Sequence, residues 1–154
     1  MKTIMPFFLI LTIGFSSYAQ NKDSKLNTQG TAKPILIIND SIIGSMDLLK
    51  NISSDKILDL RVFNDKKLSS TSLFIENDKI AGLIIAHINH EFKLKSQKEL
   101  NLFFGLHEKN DVYVNGYLVE NKSQHISSES IVCIKLIKAD QFRLKKPVLN
   151  IEIE

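Results

Sequence analysis

The chain has 154 residues, with 20 Lys and Arg against 17 Asp and Glu and a formal charge of +3. Those charges are interspersed rather than blocked, which excludes the basic footprint of a nucleic-acid binder or of a protein held on anionic lipid. A single cysteine, Cys133, excludes an internal disulfide, and six dispersed glycines exclude a Gly-rich phosphate loop.

Residues 1–19 read as an export signal. Lys2 supplies a positive start, Ile4 to Phe15 an apolar run, and Ser17 and Ala19 the small residues before Gln20. The run is too short for a membrane span, so the mature chain, roughly 135 residues, is expected to hold no transmembrane segment. Residues 20–33 are polar and without period, and read as a flexible lead.

Order is expected from Pro34. In "ILIINDSII", Ile35 to Ile43, two apolar β-branched runs flank Asn39-Asp40, a dipeptide that tolerates positive φ and so marks a tight hairpin. "ISSDKILDLRVF", Ile52 to Phe63, then reads as a helical turn, capped by serine and led by Asp55, that runs into a strand. Within it, Leu58, Leu60 and Val62 point one way, as a buried face, and Asp59 and Arg61 the other. A polar connection follows, with a short helix expected around Ser70 to Phe74. "GLIIAHI", Gly82 to Ile88, is a near-continuous apolar strand, and Asn89-His90 is a turn into "EFKLK".

"SQKELNLFFGLHEKN" carries a helix signature. Ser96 and Glu99 have capping-box spacing, and Leu100, Phe103, Phe104 and His107 share one face, with His107 at the helix end. "VYVNGYLV", Val112 to Val119, repeats the hairpin around Asn115-Gly116. "ISSESIVCIKLI", Ile126 to Ile137, repeats the capped turn and strand with His125 in the loop before it, and "VLNIEI" after Pro147 is a closing strand.

The offset is 76 residues at Asn39/Asn115 and 74 at Ile52/Ile126. The expectation is therefore an α+β protein: a first unit at 34–95, an amphipathic connecting helix at 96–109, and a shortened second unit at 110–154.

Few residues promise chemistry. His87, His90 and Glu91 run H-x-x-H-E at a strand end, not the H-E-x-x-H on a helix that sets two imidazoles on one face. No metal site or cofactor is expected. The paired serines lack a G-x-S-x-G elbow and a positioned His–Asp pair, so they read as caps. Cys133, inside a strand-like run, reads as a packed hydrophobe.

Residues Pro34 to Asp40, Ile52 to Asp65, "TSLF" at 71–74 and Gly82 to Ala86 together resemble the plug domain of TonB-dependent outer-membrane receptors, in its Bacteroidetes form. The second unit echoes the first two blocks and the last strand. The chain departs from that family where its Asn-Pro is Ser-Ser in both copies, and no receptor barrel follows the plug-like units in the sequence read.

The resemblance implies two plug-like units and a non-enzymatic, exported envelope module. It would sit in the periplasm, at the outer membrane or outside the cell, and bind an envelope protein or a ligand. An accessory or decayed receptor fragment is the alternative, and a secreted hydrolase the third. The exposed turns, Asn39-Asp40 and Asn115-Gly116, and the edge strands are the expected binding places.

Overall fold

The structure, a computed structural model, describes residues 34–63, 82–140 and 144–154. The expected leader, the lead at 20–33 and the short helix around Ser70 to Phe74 lie outside the described residues. Among the described residues are ten strands and two helices, arranged as a mixed, mostly sheet fold with two sheets.

The first hairpin pairs β1 (Ile35–Ile38) with β2 (Ile42–Gly44) in antiparallel register, Ile38 opposite Ile42. Both central residues of its turn have positive φ, 49° at Asn39 and 61° at Asp40. A four-residue helix α1 (Asp47–Lys50) comes next. It folds back tightly: a Cβ on Gly44 would meet Leu48 Cδ1 at 2.7 Å, so the glycine makes room for the helix's buried leucine.

A 3-10 turn, Ser54–Lys56, leads into β3 (Ile57–Phe63), which pairs antiparallel with β4 (Leu83–Ile88); β4 in turn pairs parallel with β1, Ile38 opposite Ala86. The sheet is completed by β5 (Leu94–Ser96) and β8 (His125–Ser127), giving the order β3-β4-β1-β2-β8-β5. Thus His125, expected in a loop, is a strand residue, and residues 125–127 of the expected second unit belong to the first sheet.

The second sheet starts from the hairpin of β6 (Val112–Val114) and β7 (Tyr117–Leu118). Here the turn φ values are 48° at Asn115 and 83° at Gly116. A 3-10 turn, Ser128–Ser130, enters β9 (Ile131–Ile137), which pairs antiparallel with β10 (Val148–Ile153), and β10 pairs parallel with β6. The order is β7-β6-β10-β9. The run antiparallel, parallel, antiparallel that links β2-β1-β4-β3 therefore recurs in β7-β6-β10-β9.

The helix α2 (Gln97–Phe103) stands between β5 and the second sheet's first strand in sequence. Its capping box forms as the spacing predicts: Ser96 Oγ accepts from Glu99 N at 3.1 Å, and the Glu99 carboxylate accepts from Ser96 N at 2.8 Å. The buried face is another matter. Gln97, Leu100 and Asn101 are buried, while Phe103 is 83% exposed and His107 lies beyond the helix end. Burial of the two amides is possible because their donors are used: Gln97 Nε2 donates to Asn121 O at 2.8 Å, and Asn101 Nδ2 to Asn110 O at 2.9 Å.

The main core lies between the sheets. Ile35, Ile37, Ile43 and Leu83 of the first pack with Val112, Val114, Leu149 and Ile151 of the second, and Leu100 of α2 joins them. The other face of the first sheet packs Leu36, Ile38, Ile84 and Ala86 under Leu48.

Two expectations about the repeated phrase need correction. Neither serine-led turn has a side-chain cap: Ser53 and Ser127 are in N-cap position without such a bond, and the Ser53 hydroxyl instead donates to the Asp55 carboxylate. Nor is the Leu58, Leu60, Val62 stripe buried. Those residues are 70%, 42% and 56% exposed, because β3 is the sheet's last strand and lies outside the reach of a four-residue α1.

Candidate functional site

Both turn asparagines do the same structural task. Asn39 Nδ2 donates to Ile88 O at 3.0 Å while Asn39 Oδ1 accepts from Ile88 N at 2.9 Å. Asn115 holds the carbonyl and amide of Ile153 in the same way, at 3.3 and 2.9 Å. Each side chain thus pairs with the backbone of the last residue of the parallel partner strand, past the point where the parallel ladder ends. Asparagine suits the place twice over, since it tolerates the left-handed conformation and carries a donor and an acceptor.

Around the two turns the surroundings differ. Gly116 is buried, and its N–H donates to Asn150 Oδ1 at 2.9 Å. Asn39 and Asp40 are exposed. Beside Asn39 lies an open depression of about 510 Å³ lined by Asn39, Lys56, Ile88, Asn89, His90 and Glu91.

Three segments build it. The hairpin turn brings Asn39, the 3-10 turn ahead of β3 brings Lys56, and the exit of β4 brings Ile88 to Glu91. They are stitched together by backbone: Asn89 N donates to Lys56 O at 2.8 Å, and Asn39 N to Ala86 O at 2.9 Å. His90 stands edge-on to Phe92, ring centroids 4.9 Å apart, which fixes one side of the rim. Just outside, the Ser53 hydroxyl holds the Asp55 carboxyl below its ordinary range.

Chemically this is a polar surface, with one ammonium, one imidazole, one carboxylate and two amides beside Ile88, the Asn39 amide being the one bonded to Ile88. It offers donors and acceptors of both charge signs, as a peptide segment or a small zwitterion would use. No group of three or more His, Cys, Asp or Glu residues is gathered to hold a metal among the described residues. His87 sits within β4, half-buried, while His90 and Glu91 follow the strand's end. Cys133 is half-buried on β9, opposite Glu152.

Of the four turn residues that the sequence marked, Asn39 lines the depression, Asp40 follows it in the turn, and Asn115 and Gly116 are on the other sheet. Lys56, Asn89, His90 and Glu91 did not emerge as one site from sequence. The available signal was topological: a strand parallel to β1 must end beside the turn that ends β1. Compared with known proteins, the chain matches no family model, no curated protein and no solved structure. No helix among the described residues is long and apolar enough to cross a membrane.

Proposed function

We propose that the chain is a non-enzymatic, exported module of the cell envelope, composed of two plug-like half-units, that binds an envelope protein or a ligand at the Asn39 end of its first sheet. The observation that carries this reading is the recurrence of one pairing pattern with one turn chemistry. In both sheets a hairpin strand lies parallel to a later strand, that strand lies antiparallel to the one entered through a serine-led 3-10 turn, and a turn asparagine clamps its end. Shared topology favours a duplicated plug-like unit over a chance likeness of two β-rich stretches. The depression beside Asn39 supports a binding role because it gathers the side chains of Lys56, Asn89, His90 and Glu91 at one opening.

The test is capture from envelope extract with the purified chain as bait, run beside a Lys56→Glu, Glu91→Lys variant. An outer-membrane or periplasmic protein retained by the parent and lost by the variant supports the reading. An empty lane with both baits favours a fragment without independent activity. Metal-dependent hydrolysis by the purified chain sinks both.

A further inference from the structure

The edge of the first sheet carries a pattern that neither the core nor the depression uses. Among the described residues strand β3 pairs only with β4, and no described strand lies along its other edge. Its apolar stripe continues the second core cluster outward, since Leu60 lies opposite Ala86 and Val62 opposite Ile84 in the ladder. Three large exposed apolar side chains in five residues are an unusual load for a terminal strand, which proteins normally keep short or charged.

The stripe is spaced by two charges of opposite sign. Asp59 and Arg61 occupy the alternate face and pair with each other at 2.8 Å within the strand. Charges on an edge ordinarily oppose strand addition. This pair does so for most registers but not for one. When two copies of Asp59-Leu60-Arg61 are laid antiparallel about Leu60, each Asp59 meets the partner's Arg61 and Leu60 meets its own copy; Leu58, at the register shift of β3 against β4, stands outside this regular stretch. The sequence is self-complementary under a two-fold axis.

We propose that β3 is a homodimerisation edge, joining two copies of the chain through an antiparallel β3–β3 pairing centred on Leu60. The edge strand of equal length in the second sheet, β9, suits this poorly. Centred on Ile134, its self-pairing sets Cys133 against Lys135 and brings no opposite charges together. Pairing β3 with β9 of a second copy yields one opposite-charge contact, Asp59 with Lys135, where β3 with β3 yields two. A β3–β9 contact would also be heterologous and open-ended, whereas β3 with β3 closes as a dimer. Opposite charges directly across a strand pair favour a register, and like charges oppose it. This inference does not depend on the plug-like reading or on the depression beside Asn39.

Analytical ultracentrifugation of the full chain and three variants tests it. The parent is expected to show a concentration-dependent mass rising to twice the monomer's by about 200 µM, the weak regime of a small interface. Asp59→Arg and Arg61→Asp each put like charges opposite at both symmetry-related positions, and each should raise the dissociation constant at least about tenfold. The double variant Asp59→Arg, Arg61→Asp restores the complementary pattern and should dimerise like the parent. Circular dichroism of all four chains checks that the exposed substitutions leave the fold intact. A parent that stays monomeric, or single reversals without effect, would each overturn the assignment.

Discussion

Asn39 and Asn115 each answer two demands with one side chain. Their backbones sit at φ 49° and 48°, and their amides close the ends of Ile88 and Ile153. The two roles separate on substitution by glycine, which takes the same φ at no steric cost but offers no side-chain bonds. Asn39→Gly should therefore lose about 1–3 kcal/mol, the net worth of two part-buried hydrogen bonds, in urea unfolding. A loss below about 0.5 kcal/mol would mean that water serves the strand end equally well. The positive φ of these residues was legible from the dipeptides Asn-Asp and Asn-Gly, because that preference is local. The clamp was not, since it depends on which distant strand ends beside the turn. The depression was hidden for the same reason: Lys56 and Glu91 are brought to Asn39 by the parallel pairing of β1 with β4.

Among the elements, α2 shows where sequence reading succeeds and stops. Its start was legible, because the Ser96 and Glu99 bonds are made within four residues. Its buried face was legible only at Leu100, which is buried, and Phe104, which packs on the core. Apolar spacing pointed to Phe103, yet the face turned inward carries Gln97 and Asn101, whose amides find backbone carbonyls supplied by later loops. Strand β3 makes the same point, since alternation shows which residues share a face but not whether anything covers it. The cap also has a pH signature. Hydrogen bonds from the Ser96 backbone and hydroxyl hold the Glu99 carboxyl below its ordinary range. A carboxyl depressed in the folded state contributes stability above its unfolded value, and that contribution is lost as pH falls through the folded one. Glu99→Gln keeps an acceptor for Ser96 N but cannot titrate. Its urea midpoint should fall less steeply than the parent's as pH drops from about 5 to 3. Parallel slopes in the two proteins would locate the acid sensitivity elsewhere.

At the scale of the molecule, the question is whether the two sheets unfold together. The pairing pattern repeats, but hydrogen bonding crosses between the halves of the sequence. Strand β8 lies between β2 and β5, with Ile43 opposite Ile126 and Lys95 also opposite Ile126. Ser45 N donates to the buried Ser130 Oγ at 2.9 Å, tying the loop after β2 to the 3-10 turn before β9. One apolar cluster draws from both sheets and from α2. Removing residues 110–154 would strip the first sheet of an internal strand and expose one whole face, so residues 34–109 are not expected to hold this structure alone. Unfolding of the full chain should be a single cooperative transition. The tyrosines make this measurable, because both described ones, Tyr113 and Tyr117, lie in the second sheet, whereas backbone circular dichroism weighs both sheets. Urea curves from tyrosine fluorescence and circular dichroism should superimpose, with amide exchange at Ile37 and Ile151 protected to a similar free energy. Separate midpoints for the two probes would show that each sheet is an independent unit, and that the β8 and Ser130 contacts are too weak to couple them.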